Sequence, residues 1–151
     1  MSYHIWVSYG YGICVDDIDG VTMGGLLEFV HKAPEFEKNF LEWLAETYEE
    51  PIDELDVSEV LDEWDDNWCY KGIGPILRDV INEAEDLRMY IADDFGGVQY
   101  LMLSPRYPWS EITAKERELT QESMDEIFRK YVHILTDKKI DIDYQSVENG
   151  G

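Results

Sequence analysis

The sequence predicts a single α+β domain, with a mainly antiparallel sheet of about four strands packed with helices. Three observations carry this expectation. The chain has 151 residues, the length of one domain. Short, alternating, aromatic-rich stretches are separated by longer stretches with helical spacing. The elements run strand, helices, two strands, helix, strand, rather than in strict strand–helix alternation. No internal repeat or long linker divides the chain, so residues 1–147 are expected to form one globular domain and 148–151 a short flexible tail.

Each element has a local cause. Tyr3 to Tyr9, "YHIWVSY", alternates and reads as a strand. Gly10 and Gly12 are expected to break or bend it, with Ile13 to Val15 continuing it or forming a hairpin partner. Asp16 to Gly20, "DDIDG", has the chemistry of a turn. From Gly24 to Tyr48 the spacing is helical, divided by Pro34, which suits a first turn; Phe36, Phe40, Trp43 and Leu44 then mark one face. Asp56 and Glu59 have the N-cap and N3 spacing of a capping box. The helix that follows should bury Val57, Val60, Leu61, Trp64 and Trp68 and expose its acids. Gly72 to Leu87 forms another helix with Pro75 in its first turn, and Arg88 to Asp94 and Val98 to Ser104 form a hairpin around Gly96-Gly97. Pro105 to Ser110 reads as a rigid loop. Thr120 to Asp137 is helical, with Met124, Ile127, Phe128, Tyr131 and Leu135 inward, and Lys139 to Val147 is a last strand. This order also suits a ferredoxin-like split β-α-β arrangement with inserted helices.

The charge is the most unusual property. The formal net charge is -22, yet the chain is 44% hydrophobic and 13% aromatic, so it is a folding domain and not a solvated acidic tail. Leu44 to Trp68, "LAETYEEPIDELDVSEVLDEWDDNW", holds eleven acids and no Lys or Arg. Two carboxylates about 6 Å apart repel by roughly 0.7 kcal/mol in water before screening, so such a run costs stability. The acidic balance argues against direct binding of nucleic acid or an anionic membrane, because phosphates would be repelled. It favours a basic protein surface as partner. The N-terminus lacks a basic region followed by an apolar core, and no apolar run is long enough to span a bilayer, so a cytoplasmic location is expected.

Motifs for chemistry are weak by comparison. Taking Gly20 as the sixth position of a calcium loop puts Asp17 and Asp19 at ligand positions but leaves Val15 and Leu26 at the anchoring ones, so an acidic turn is the better account. "GYG" and "GGLLEF" lack the spacing of a phosphate cradle. His4, His31, His133, Cys14 and Cys69 show no zinc-ligand spacing, no disulfide framework and no local nucleophile pair. Acids are so numerous that none stands out as a catalytic pair. Ser104 to Trp109, "SPRYPW", sets Arg106 among aromatics, as interfaces do, but also reads as a packed loop. No catalytic residue, cofactor or metal is expected.

The site residues expected are Glu49, Glu50, Asp53, Glu54, Glu59, Asp62, Glu63 and Asp66, on a face held rigid by Trp64 and Trp68. Duplex DNA carries about one charge per 3.4 Å along each strand, and a helical turn advances about 5.4 Å, so carboxylates from neighbouring segments approach the phosphate density. The short length, the acid run from Glu42 to Asp66 and the C-terminal "LTDKKIDIDYQSVENGG" resemble the small acidic proteins of phages and other bacterial mobile elements. That resemblance implies an anti-CRISPR or antirestriction type of inhibitor, which occupies the nucleic-acid channel of a defence enzyme. Immunity proteins for nuclease toxins have the same character. A small enzyme or ligand-binding domain, with a cleft near Tyr9 to Asp19 and the Ser104 to Trp109 loop, is the competing expectation.

Overall fold

The computed structural model describes residues 5–64, 72–94, 96–103 and 119–150. Among them the chain forms β1 (Ile5–Cys14), a 3-10 turn (Val15–Asp17), α1 (Met23–Val30), α2 (Pro34–Thr47) and a second 3-10 turn (Ile52–Glu54). It continues as α3 (Val57–Glu63), α4 (Ile73–Glu85), β2 (Tyr90–Asp93), β3 (Gln99–Leu103), α5 (Gln121–Leu135) and β4 (Asp143–Gly150). The strands form one sheet in the order β2-β3-β1-β4, and every neighbouring pair is antiparallel. β1 and β2 therefore run parallel to each other with β3 between them, and β3 and β4 run parallel with β1 between them. These are two interlocked split β-α-β units, the ferredoxin-like connectivity, with extra helices between β1 and β2. The fold is α+β.

β1 does not break at its glycines. It runs through Gly10 and Gly12 to Cys14, with Gly12 opposite Met102 and Tyr11 opposite Leu103. A Cβ at Gly12 would lie 1.9 Å from the carbonyl oxygen of Leu101, and one at Gly10 would lie 2.8 Å from that of Leu103. Close approach of β3, not a bend, is what demands glycine there. The residues expected as a flexible tail also belong to the sheet: Glu148, Asn149 and Gly150 pair with Val7, Trp6 and Ile5. The reason is that β1 starts at Ile5, and its first residues find ladder partners only at the end of β4. That strand begins at Asp143, later than hydrophobic alternation from Lys139 implied.

The core lies between one sheet face and the helices. Tyr11, Ile13, Ile91, Leu101 and Leu103 meet Leu26 and Phe29 of α1, Phe40 and Leu44 of α2, Ile76, Leu77 and Val80 of α4, and Phe128, Val132 and Leu135 of α5 in one buried cluster. The alternate residues Ala92, Met102 and Val147 form a second buried cluster with Tyr90 and Tyr100, as period-two alternation requires.

Helix ends show which local interactions position the elements. Thr22 and Thr120 cap α1 and α5 through their side-chain oxygens, accepting from Gly25 N at 3.0 Å and Ser123 N at 3.1 Å. α2 has Ala33 at its N-cap, which offers no side-chain acceptor. Glu83 of α4 supplies it instead: its two carboxylate oxygens accept from Glu35 N at 3.0 Å and Phe36 N at 2.9 Å. At the same C-terminal end of α4, Asp86 takes a left-handed conformation (φ 55°), and Asn82 accepts from Met89 N at 2.8 Å while donating to Met89 O at 3.1 Å. Glu85 accepts from the Tyr131 hydroxyl at 2.8 Å, tying α4 to α5.

Two outcomes are expected from these contacts. Glu83→Ala should lower stability by about 1–2 kcal/mol, measured as a reduced urea midpoint, because it leaves two N-terminal amides of α2 without their acceptor. A pH dependence should also appear in alkali. Burial, with a hydrogen bond to Asp125, pushes the Tyr11 phenol up to about 12. Burial and the Glu85 hydrogen bond raise Tyr131 as well. An unfolded phenol ionises near pH 10, so above that pH the unfolded chain releases protons that the folded chain retains. The contribution of these two phenols to stability should be flat below about pH 10 and fall as pH rises from about 10 towards 12. Urea midpoints measured between pH 8 and 11.5 test this, and Tyr11→Phe should flatten part of the fall.

Candidate interaction surface

The acid run is carried by α2, the following link and α3, and its shape comes from an aromatic cluster. Pro34 opens α2, and Glu35 and Glu37 in its first turn suit the positive end of the helix. Phe36 stacks on Phe40 at 5.8 Å and Phe40 on Trp43 at 5.9 Å, forming the apolar stripe expected for this helix. α2 stops at Thr47, and Tyr48 turns into extended backbone with its ring edge-on to Trp43 at 6.0 Å. The chain then passes Pro51 and the 52–54 turn to Asp56, which is the N-cap of α3. The Asp56 carboxylate accepts from Ser58 N at 3.0 Å.

α3 is shorter than its sequence pattern suggests. Its last helical residue is Glu63, and Trp64 is an extended C-cap rather than the next turn of a stripe reaching Trp68. The ring of Trp64 explains the stop. It leaves the helix to pack edge-on against Phe36, Phe40 and Trp43 at 5.6, 5.2 and 5.1 Å. Edge-to-face pairs of this kind contribute roughly 0.5–1.5 kcal/mol each beyond area burial. Trp64 therefore docks α3 on α2 from its extended C-cap position, rather than as part of a helical stripe.

Glu49, Glu50, Asp53, Glu54, Glu59, Asp62 and Glu63 are all exposed. Asp66 and Trp68 lie outside the described residues, as do Cys69 and the Ser104 to Trp109 loop. From Asn39 to Trp64 there is no Lys or Arg, and none of the seven acids forms an ion pair among the described residues. Three of them act on one phenol. The Tyr48 phenol is raised by burial first, and then by the carboxylates of Glu59, Glu63 and Glu50. Residues from the link and from α3 thus focus negative potential on one region of the surface. Tyr48 was not singled out by the sequence pattern; its position directly before Glu49-Glu50, after a helix rich in aromatics, was the available signal.

The cluster has a defect. Among the described residues, the buried Tyr48 Oη and Trp64 Nε1 have no hydrogen-bond partner. A buried donor without an acceptor forfeits its bonds to water.

Four basic residues gather elsewhere. Arg129 and His133 of α5, with Lys138 and Lys139 beyond it, rim a shallow pocket floored by Val132, Ile140 and Ile142. His133 lies in the last turn of α5, where positive charge complements the helix dipole. Near the 15–17 turn, Lys138 pairs with Asp19 at 3.6 Å. Among the described residues no group of three or more His, Cys, Asp or Glu side chains is arranged to hold a metal ion, and no helix is long and apolar enough to cross a membrane.

Removing the unpartnered hydroxyl should help the fold. Tyr48→Phe is expected to raise stability by about 1 kcal/mol, because it keeps the ring contact with Trp43 and deletes the buried donor. A raised urea midpoint with unchanged slope is the check.

In comparison with known proteins, the chain matches no family model, no curated protein and no solved structure.

Proposed function

We propose that this protein is a non-enzymatic acidic binding protein that inhibits a basic nucleic-acid-binding protein or nuclease by presenting carboxylates in place of phosphates. One observation carries the reading. Seven exposed carboxylates, without an ion pair among the described residues, sit on short, aromatic-backed segments rather than on a loose tail. A rigid charged surface pays less ordering entropy on binding than a disordered one. It also steers a basic partner into encounter, because the fields of opposite sign act before contact. The contacts would be made by Glu49, Glu50, Asp53, Glu54, Glu59, Asp62 and Glu63, with Asp66 next in the sequence. The nearest functional analogues in character are anti-CRISPR and antirestriction inhibitors of phage and mobile-element origin. The partner's nucleic-acid channel is the surface such a protein would occupy.

The test combines charge reversal with competition. The protein should retain from a lysate, at about 0.1 M salt, a basic nucleic-acid-binding protein that is released near 0.5 M and displaced by its own nucleic acid. Glu50→Lys, Glu59→Lys and Glu63→Lys together should weaken that complex at least about a hundredfold while the circular dichroism spectrum is kept. A folded triple variant that binds as tightly as the parent would sink the proposal.

A further inference from the structure

We infer that the hollow between the C-terminal half of α5 and the chain that follows it is a binding site for a small organic anion: a single ring or short alkyl chain that carries one carboxylate or phosphate. The inference is independent of the acidic surface and rests on other residues.

Local structure builds the hollow. Arg129 and His133 lie one turn apart on α5 and share a face with Val132. α5 stops at Leu135, and Thr136 Oγ1 accepts from Lys138 N at 3.2 Å, which turns the chain. Lys138 and Lys139 then complete the rim, and Ile140 and Ile142 complete the floor. Val132 and Ile140 are buried and Ile142 is partly exposed. The hollow holds about 240 Å³, part of it open to solvent. Sites for drug-sized ligands hold about 300–1,000 Å³, so the occupant here is smaller. The rim sets the sign of its charge. The chain has 34 acids against 12 Lys and Arg, yet every polar residue lining the hollow is basic. Asp137 and Asp141, next to the rim in sequence, are exposed and do not line it. Arg and Lys donate charge-assisted hydrogen bonds to a carboxylate or phosphate, and His133 has a ring N–H to donate in either protonation state. Lys138 also pairs with Asp19 at 3.6 Å, but the two side chains are 54% and 70% exposed, where such a pair is weak and easily exchanged. The dipole of α5 accounts for positive charge in its last turn, but not for cations beyond the helix end with an apolar floor between them. That combination selects for a ligand with both parts. The negative field of the rest of the chain is screened beyond about 8 Å at physiological ionic strength, so it does not forbid binding.

The experiment is a titration of the full chain, followed by amide NMR shifts at about 0.15 M salt, with benzoate, phenyl phosphate, inorganic phosphate and benzyl alcohol as separate probes. Benzoate or phenyl phosphate should shift the amides of residues 129–142 saturably, with a dissociation constant of about 1 mM or below. Preference for one of the two assigns the site to carboxylates or to phosphate esters. Inorganic phosphate, which lacks the apolar part, and benzyl alcohol, which lacks the charge, should each bind at least about tenfold more weakly. Arg129→Glu with Lys139→Glu should weaken the bound probe at least about tenfold, and the milder Arg129→Gln with Lys139→Gln about threefold. Both positions are exposed, so the rest of the spectrum should be kept. Lys32→Glu removes an exposed cation outside the hollow and should change the affinity by less than about twofold. Absence of saturable shifts up to about 10 mM of either aryl anion overturns the inference. So does inorganic phosphate or benzyl alcohol binding as tightly as the aryl anions, or a loss with Lys32→Glu as large as with the rim pair.

Discussion

The seating of Trp64 against Phe36, Phe40 and Trp43 is the interaction on which the acidic part of this molecule depends. A stretch without a single cation can form no ion pairs within itself, and its charges favour an extended chain. Aromatic contact is indifferent to the sign of surface charge. Placing it beneath the carboxylates lets the chain return upon itself while the acids stay in water. The burden moves to α2, which must present its stripe at the right angle. Here Glu83 matters, because its carboxylate is the acceptor that the Ala33 cap lacks and it joins the start of α2 to α4. α4 in turn is joined to α5 through Glu85 and Tyr131. The acidic surface thus hangs on a chain of contacts that leads back to the core.

Acidic residues therefore do two different jobs in one molecule. Glu83, Glu85, Asp56 and Asp125 accept hydrogen bonds that order helices or strands. Glu49, Glu50, Asp53, Glu54, Glu59, Asp62 and Glu63 have no such duty among the described residues and face solvent. The distinction comes from geometry alone, since the side chains are of the same two kinds. It separates carboxylates whose loss should cost stability from those that, on the proposed reading, serve recognition.

Much of the architecture was legible in the sequence because it rests on periodicity and punctuation. Pro34, the spacing of Phe36, Phe40 and Trp43, the Gly96-Gly97 hairpin and the stripe of α5 are local signals, and each placed its element. What escaped depends on partners distant in the chain. Gly10 and Gly12 looked like breaks because the crowding that requires them comes from β3, about ninety residues later. The end of α3 looked like a longer helix because Val57, Val60, Leu61 and Trp64 keep helical spacing, while the pull on Trp64 comes from α2. The Glu83 cap was invisible for the same reason: nothing in the 34–36 stretch announces an acceptor supplied from residue 83. Of the surface itself, exposure of the acids was legible from amphipathic spacing, whereas their convergence on Tyr48 was not.

The pairing of β4 along β1 has a consequence for how the chain assembles. Ile5 lies opposite Gly150 and Gly12 opposite Asp143, so the longest ladder in the sheet joins the first described strand to the last. During synthesis, one side of β1 must wait until β4 has been made before its backbone amides and carbonyls find strand partners. The helices can form and the β2–β3 hairpin can close before then, since their contacts are local. Completion of the sheet is a late, long-range closure, and until it happens β1 offers an open edge to any other strand nearby. The steep negative charge of the chain then gains a role that precedes any partner: it keeps nascent copies apart while that edge is open.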